Sequence, residues 1–256
     1  MTNQPPLERI KLSLVGRTAL AVVASDKVNA LDLETLEEIT RVVDYCEQEA
    51  EVDALVMTGE GSLFSAGLNV NQVLANDVQY TEGLLGALEE ALVRIFSCPI
   101  PTVVAVNGSA IAGGCLLACA FDKRLIAEGA RIGATELRVG VSFPMVAVEL
   151  MRHVCGPHAE RLMFDAELLD ADAACRYGLV HERVPASELQ AAALAAAEQL
   201  ASLDARAYSL AKASSRRMVL STLGDERSRQ LDRQVLGHWR DEQTRASLER
   251  LLKPKT

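Results

Sequence analysis

The sequence predicts an α/β core followed by a helical C-terminal subdomain, and three observations support this. Short apolar runs typical of buried strands alternate with longer amphipathic segments, in units of roughly 40 to 50 residues. From Ala186 onward the composition becomes alanine-rich and helical throughout. The 256 residues leave room for one large domain and a smaller appendage. We therefore predict an α/β core over residues 1–190 and a helical subdomain over residues 191–256.

The first half of the core carries clear signals for strands and one helix. The runs RIKLSL and TALAVVA predict two strands, joined as a hairpin through Gly16 and Arg17. The segment DLETLEEITRVVDYCEQEA predicts an amphipathic helix with Asp32 as its N-cap and acidic residues in its first turn. ALVMTG then predicts a buried strand that ends in a glycine-bearing loop.

The second half of the core continues the same alternation. A long helical stretch from about Tyr80 ends near Pro99, and PTVVAV and KRLIA predict two further buried strands. A glycine-rich segment lies between these two strands. The tail as far as Leu252 is predicted to be charged, amphipathic helix.

Composition excludes several classes of protein. The net charge of −9 argues against nucleic-acid binding by bulk electrostatics. No apolar run approaches the roughly 18 residues of a membrane span, and no secretory signal is visible at the N-terminus. The six cysteines lack the spacing of a disulfide framework or a zinc knuckle. We therefore expect reduced thiols in a cytoplasmic protein that binds neither nucleic acid nor membrane.

Several catalytic and metal motifs are also missing. The chain has no Walker-type phosphate loop, no G-x-G-x-x-G after a strand and no G-x-S-x-G nucleophile elbow. His153 and His158 are five residues apart, which suits neither one helix face nor a zinc pair. Cys115 and Cys119 share a helix face but have no further ligand nearby, so we predict no metal site.

Two glycine-bearing loops each follow a buried strand, over residues 58–70 and 105–118. Both are compatible with plain strand-to-helix turns. Because the first N–H groups of a helix lack internal partners, two such groups from separate loops are also able to bind an oxyanion. A third segment, RIGATELRVGVSFP, places Glu136 among apolar neighbours. Composition alone favours a surface position for this acid, but burial would raise its pKa and make it a usable base.

Five segments together resemble the crotonase superfamily, the enoyl-CoA hydratase/isomerase family. In order along roughly residues 20 to 185 they are KVNALDLETL, FSAGLN, PTVVAVNGSAIAGGCLLACAFD, IGATELRVGVSFP and DADAACRYGLVHERVP. The resemblance implies a crotonase-like spiral of ββα repeats with a helical C-terminal subdomain, which serves oligomerisation and covers the active site. It also implies an acyl-CoA thioester substrate, and a homotrimer or a dimer of trimers. Since coenzyme A is part of the substrate, it implies no separate cofactor.

The same resemblance assigns the site residues. The oxyanion hole would consist of the N–H groups of Leu68 and Gly113, with Glu136 as the catalytic acid-base and Asp122 as a structural residue. The positions implied to bind the substrate or coenzyme A are Lys27, Ala66, Leu68, Asn69 and Gly113. Three more basic residues could approach the coenzyme A phosphates, although surface roles suit them equally: Lys212, Arg216 and Arg217.

Departures from the family pattern bear on the reaction. Hydratases of the family use two glutamates, and here the first position, a lost catalytic position, is Leu116. Pro144 stands where dienoyl-CoA isomerases and aryl-CoA dehalogenases carry an aspartate, and Glu149 is a possible but less favoured substitute acid. One carboxylate with an oxyanion hole favours an enoyl-CoA isomerase that shifts a 3-ene to a 2-ene. A hydratase or other enolate chemistry using Glu136 alone, and a non-catalytic acyl-CoA binding protein, remain as alternatives.

Overall fold

The computed structural model describes residues 4–252, which form two β-sheets surrounded by helices. Within this range the chain begins with a hairpin and then alternates strands with helices as far as residue 184. The strands are β1 (Ile10–Val15), β2 (Thr18–Val23), β3 (Ala54–Gly59), β4 (Leu63–Ser65), β5 (Thr102–Val106), β6 (Ser109–Ile111), β7 (Lys123–Ala127), β8 (Arg131–Gly133), β9 (Leu169–Asp170) and β10 (Glu182–Val184).

Helices cover both sheets and make up the whole C-terminal part of the described chain. They are α1 (Leu33–Gln48), α2 (Val70–Ala75), α3 (Val78–Ser97), α4 (Gly113–Cys119), α5 (Met145–Cys155), α6 (Ala159–Asp165), α7 (Ala171–Arg176), α8 (Leu189–Ala201), α9 (Ala205–Leu223), α10 (Glu226–Arg240) and α11 (Glu242–Leu252). Short 3₁₀ helices span Glu136–Val139 and Gly156–His158. Of the helices formed by this part of the chain, none combines the length and apolar character that crossing a bilayer requires.

From β3 to β8, successive strands alternate between the two sheets. The larger sheet has the order β1-β2-β3-β5-β7-β10, antiparallel only between β1 and β2. The smaller sheet has the order β4-β6-β8-β9, with β4, β6 and β8 parallel. Each unit therefore places one strand in each sheet and returns through a helix. This is the spiral of ββα repeats that the family resemblance implied, and the predicted fold class is confirmed.

The inner strands β2, β3 and β5 of the larger sheet are buried on both faces, which explains their continuous apolar sequences. All residues of β3 and β5 are buried, and helices α1 and α8 pack against this sheet. Asp32 caps α1 as predicted, because its Oδ1 accepts a hydrogen bond of 2.9 Å from the Thr35 amide. Helix α8 begins close to the predicted subdomain boundary, yet it packs on β3 and β5 rather than standing apart from the core.

A buried ionic cluster joins helix α9 to the core. The carboxylate of Asp122 accepts hydrogen bonds from the Thr102 amide, the Tyr208 hydroxyl and the Lys212 ammonium group at 2.7–2.9 Å, and it also pairs with Arg216. Burial lowers the pKa of both Lys212 and Arg216, although the Asp122 charge opposes this. Asp122, just ahead of β7, therefore tethers helix α9 to the start of β5.

Candidate active site

The three predicted site segments meet at one edge of the smaller sheet. Leu68, Gly113 and Glu136 follow β4, β6 and β8 by two or three residues each. Because these strands are adjacent and parallel, their carboxyl ends lie side by side. A 2.9 Å hydrogen bond from the Ala112 amide to the Gly133 carbonyl ties the second loop to the third.

Two main-chain amides come close together at this edge. A Cβ placed on Gly113 would lie 3.3 Å from the Leu68 amide nitrogen, so the Gly113 and Leu68 backbones are in close proximity. Neither amide donates to a protein acceptor within residues 4–252. Gly67 permits this approach, since its φ is +88° and a Cβ there would lie 2.8 Å from the Ile111 carbonyl oxygen.

The two amides have different structural origins. Gly113 is the first residue of α4, so its N–H has no intrahelical partner, as predicted. Leu68 lies ahead of α2, whose N-cap is Asn69, and forms a parallel bridge with Leu31. The expectation that both amides belong to helix starts is therefore wrong for Leu68. Its orientation comes from pairing with the segment that follows β2.

The entry to α4 is strained and closely packed. Ala112 has φ 50° and ψ −120°, a backbone conformation that residues with a Cβ rarely adopt. Gly114 packs against β4, where an added Cβ would lie 2.5 Å from the Ser65 carbonyl oxygen. Gly113 and Gly114 thus allow the N-terminal end of α4 to pack directly against the loop of residues 58–70. Nothing in the sequence indicated the strain at Ala112.

Glu136 begins the 3₁₀ helix that follows β8, and its carboxyl group is buried. The residue is only 6% exposed, and Oε2 has no hydrogen-bond partner among the described residues. Burial raises its pKa to about 8, and a hydrogen bond from its own backbone N–H opposes that rise in part. The structure therefore contradicts the surface position that composition favoured, and places this acid in a setting where it can act as a base near neutral pH.

A cavity of about 140 Å³ lies between the two amides and Glu136. Leu116 lines it from α4 and is 1% exposed. Among the described residues of its wall, only Glu136 has an ionisable side chain. Glu149 is absent from the wall and instead pairs with Arg152 at 3.1 Å, so it does not supply a second carboxylate.

The C-terminal helices close one side of this cavity. Trp239 of α10 and Leu248 and Leu251 of α11 belong to its wall. The Trp239 indole N–H donates a 3.1 Å hydrogen bond to the Ser142 carbonyl, which fixes the ring beside the Glu136 loop. The Arg245 guanidinium donates to the Leu74 carbonyl at 2.9 Å and so holds α11 against α2. Sequence analysis missed these residues, because an amphipathic pattern shows that a helix packs but not on which surface.

The residues predicted to bind substrate fall into different places. Ala66 lines the cavity together with Leu68 and Gly113. The Asn69 side chain does not, because its Oδ1 accepts the Gln72 amide at 3.2 Å as the N-cap of α2. Lys27 is exposed in the loop after β2 and lies outside the cavity wall, so its role in binding coenzyme A stays a prediction.

Two of the three basic residues suggested for coenzyme A phosphates are not available for that role. Lys212 and Arg216 are buried in the ionic cluster around Asp122, where their side chains are 5% and 7% exposed. The suggestion is therefore wrong for Lys212 and Arg216. The sequence did not indicate this, because the charges along one helix do not show that a counter-ion is buried elsewhere in the fold. Arg217 is exposed. Asp122 has the structural role expected of it.

Comparison with known proteins identifies the family. The sequence profile described as "Enoyl-CoA hydratase/isomerase" matches residues 20–253. A short-chain-enoyl-CoA hydratase of Clostridium acetobutylicum is 31% identical, with 80% of each chain covered. The human mitochondrial enoyl-CoA delta isomerase 1 is 29% identical over 78% of this chain and 68% of its own.

A solved structure gives the same result at the level of the fold. The crystal structure of the human mitochondrial delta3-delta2-enoyl-CoA isomerase superposes with a TM-score of 0.91 and 25% identity, covering 96% of this chain and 97% of the human one. The relatives carry the names of both hydratases and isomerases, so names alone do not distinguish the two reactions. The chain belongs to the enoyl-CoA hydratase/isomerase family within the crotonase superfamily.

Proposed function

We propose that this protein is an enoyl-CoA isomerase that moves a 3-ene into conjugation with an acyl-CoA thioester. The observation that carries the proposal is that Glu136 supplies one buried carboxyl group to the wall of the cavity, where Leu116 and no second acid stands among the described residues. Two free amides, of Leu68 and Gly113, lie beside it. This combination suits the transfer of one proton and offers no second carboxylate to hold a water molecule.

The proposed reaction has two proton transfers and no net oxidation. The thioester oxygen accepts hydrogen bonds from the Leu68 and Gly113 amides. Ionised Glu136 removes a proton from C2, and the electron pair of that C–H bond moves onto the thioester oxygen as a dienolate. Glu136 then returns the proton to C4, so the C3–C4 double bond is replaced by a C2–C3 double bond. Since the oxidation state of the acyl chain does not change, the proposed route uses no redox cofactor, and the two amides stabilise the negative charge on the thioester oxygen without a metal.

The amides would supply the largest stabilisation in this scheme. A preorganised donor aimed at a developing oxyanion is worth roughly 10²- to 10³-fold in rate. The cavity wall contributes as well, because apolar Leu116 keeps water away from the dienolate. The strain at Ala112 supports the same role, since backbone strain of this kind is concentrated at sites where the chain must hold an exact orientation.

The main alternative is hydration of a 2-enoyl-CoA with Glu136 acting alone. The 31% identity to a short-chain-enoyl-CoA hydratase favours it. The two reactions are separated by parallel assays on 3-hexenoyl-CoA and 2-hexenoyl-CoA. We expect isomerisation to exceed hydration, and the reverse order would refute the proposal.

Two substitutions connect the activity to the site. Glu136→Gln keeps the shape of the side chain but removes the base, so we expect isomerisation to fall at least about 10³-fold while saturated acyl-CoA still binds. Leu116→Glu adds a carboxylate at the lost catalytic position, and we expect hydration to rise relative to isomerisation. Near-normal turnover in the Glu136→Gln variant would show that another group is the base. Binding without turnover of either alkene by the unmodified protein would favour the acyl-CoA binding role.

A further inference from the structure

The catalytic cavity is small for an acyl chain. Its volume of about 140 Å³ holds about five groups of methylene or water size, at about 30 Å³ each. Leu85 and Leu88 of α3 form part of its wall, with Trp239 and Leu248 on the C-terminal side. Apart from Glu136, Thr135 and Ser142, the described wall consists of apolar residues and Trp239, so an alkyl chain would fill the space after a few carbons.

A second cavity lies directly behind part of this wall. It has a volume of about 280 Å³ and is located between α3 and α10. Leu85 and Pro144 line both cavities, so these two side chains separate one from the other. On the far side of Leu85 the second cavity is bounded by Gly86 and Glu89 of α3 and by Asp232 of α10.

Resting on the proposed function, we propose that Leu85 sets the chain-length specificity of the site. With Pro144 it forms the end wall of the catalytic cavity and limits the acyl chain to about four to six carbons, given room for about five methylene-sized groups. Removing the Leu85 side chain joins the two cavities and admits a longer chain. Leu85 thus determines specificity without taking part in the proton transfers.

The surroundings of Leu85 favour a fixed wall. Helix α3 is anchored on both sides of this position, because Leu84 and Leu88 are 0% and 2% exposed in the core. Leu85 itself is half-buried, so shortening it leaves those anchors in place. The space behind it is only partly apolar, since Val235 and Leu236 lie there together with the carboxyl groups of Glu89 and Asp232, so an alkyl chain gains less there than in the catalytic cavity.

Glycine at position 86 provides a matched way to close the second cavity. A Cβ built on Gly86 meets no atom within 4 Å, so a larger side chain fits there without a clash. Gly86 lines the second cavity but not the first. A Leu85→Ala, Gly86→Leu double variant therefore keeps the shortened end wall while filling the space behind it.

The test measures binding of saturated butyryl-, hexanoyl-, octanoyl- and decanoyl-CoA by calorimetry. These probes need no turnover, so the result stands apart from the test of the isomerase reaction. We expect the unmodified protein to bind about fourfold tighter per methylene as far as hexanoyl-CoA and no tighter beyond it. Leu85→Ala should continue the gain to octanoyl-CoA, which should bind tighter than hexanoyl-CoA by up to about 16-fold, the limit for a fully apolar space. The double variant should lose that gain, and Gly86→Leu alone should match the unmodified protein.

A larger side chain tests the same wall from the opposite direction. Leu85→Phe should weaken hexanoyl-CoA relative to butyryl-CoA, which keeps the proposal testable if the alanine variant fails to fold. The proposal is overturned if the unmodified protein binds decanoyl-CoA as tightly as the fourfold series extrapolates. It is also overturned if the folded Leu85→Ala variant keeps the original profile, or if the double variant retains the gain for octanoyl-CoA.

Discussion

Burial of the Glu136 carboxyl group has a cost that can be measured without any substrate. The residue is 6% exposed, and its Oε2 has no partner among the described residues. Its charged form is therefore poorly stabilised in the folded protein, whereas the unfolded chain exposes the same group to water. Replacing it by glutamine removes the charge while keeping the size of the side chain. We expect Glu136→Gln to stabilise the protein increasingly as the pH rises.

The size of the effect follows from the two pKa values. The carboxyl group has a pKa of about 8 in the folded protein, against a reference value of 4.5. Between these values the unfolded state has released its proton and the folded state still holds it, so rising pH favours unfolding. A difference of 3.5 units at about 1.4 kcal/mol each gives about 5 kcal/mol as the full penalty above pH 8. Below about pH 4.5 the penalty is absent.

Urea denaturation of both proteins at pH values from 5 to 9 measures this difference. The gain in the free energy of unfolding from Glu136→Gln should be small at pH 5, increase through neutral pH and level off above about pH 8. Glu198→Gln, at an exposed position of α8, serves as the control for loss of one carboxylate. A gain that stays constant over the whole range would show that the folded carboxyl group ionises as it does in water, and would refute the burial argument.

Three further predictions concern the reaction and the structure around it. The kcat/KM for isomerisation should rise about tenfold per pH unit and level off near pH 8, because the Glu136 base must be ionised in the free enzyme. A flat profile over pH 6–9 would contradict this role of Glu136. Asp122→Asn should lower the free energy of unfolding by about 3–5 kcal/mol because it leaves two buried cations without a counter-ion, whereas Asp53→Asn in an exposed ion pair should cost at most about 1 kcal/mol. Ala112→Gly should raise the free energy of unfolding by about 1 kcal/mol by relieving a backbone strain of about 1–3 kcal/mol, while Ala196→Gly in α8 should lower it by about 1 kcal/mol. Urea denaturation measures the free energy of unfolding of all four variants. Equal losses for the Asp122 and Asp53 variants would contradict the role of the buried ionic cluster, and equal losses for the Ala112 and Ala196 variants would contradict the strain at Ala112.

The sequence was most informative where one local interaction determines the backbone. The Asp32 cap, the continuous apolar strands β3 and β5, and the glycine pair at α4 each result from local physical chemistry and were predicted correctly. The ordered segments of the family resemblance supplied the spiral, which alternation alone did not specify. The sequence did not predict that β4, β6 and β8 pair in one small sheet, because strands of two or three residues show almost no hydrophobic periodicity.

Predictions that depended on burial between distant segments were the least successful. Composition alone favoured a surface position for Glu136, whereas the family resemblance gave it a catalytic role. The residue is buried, and it shares a cavity wall with Trp239 and Leu248, which lie more than 100 residues further along the chain. Lys212 and Arg216 were suggested for an external anion, but their counter-ion is Asp122 inside the protein. Charge and hydropathy patterns describe a single helix, whereas these outcomes depend on which surfaces of the core remain free for it.

The Leu116 position connects the buried acid to the choice between isomerisation and hydration. A glutamate there would place a second negative charge in the cavity, which would raise the pKa of Glu136 further or hold one of the two groups protonated. With leucine, burial raises the pKa of Glu136 to about 8, opposed in part by its own backbone N–H and by no neighbouring charge. That value is high enough for the acid to retain a proton taken from C2 and close enough to neutrality for it to ionise again. In the proposed reaction the same leucine also excludes the water that would exchange that proton or add to the alkene. In this scheme Leu116 favours return of the proton to C4 in two ways: it adds no second charge beside Glu136, and it excludes water from the cavity.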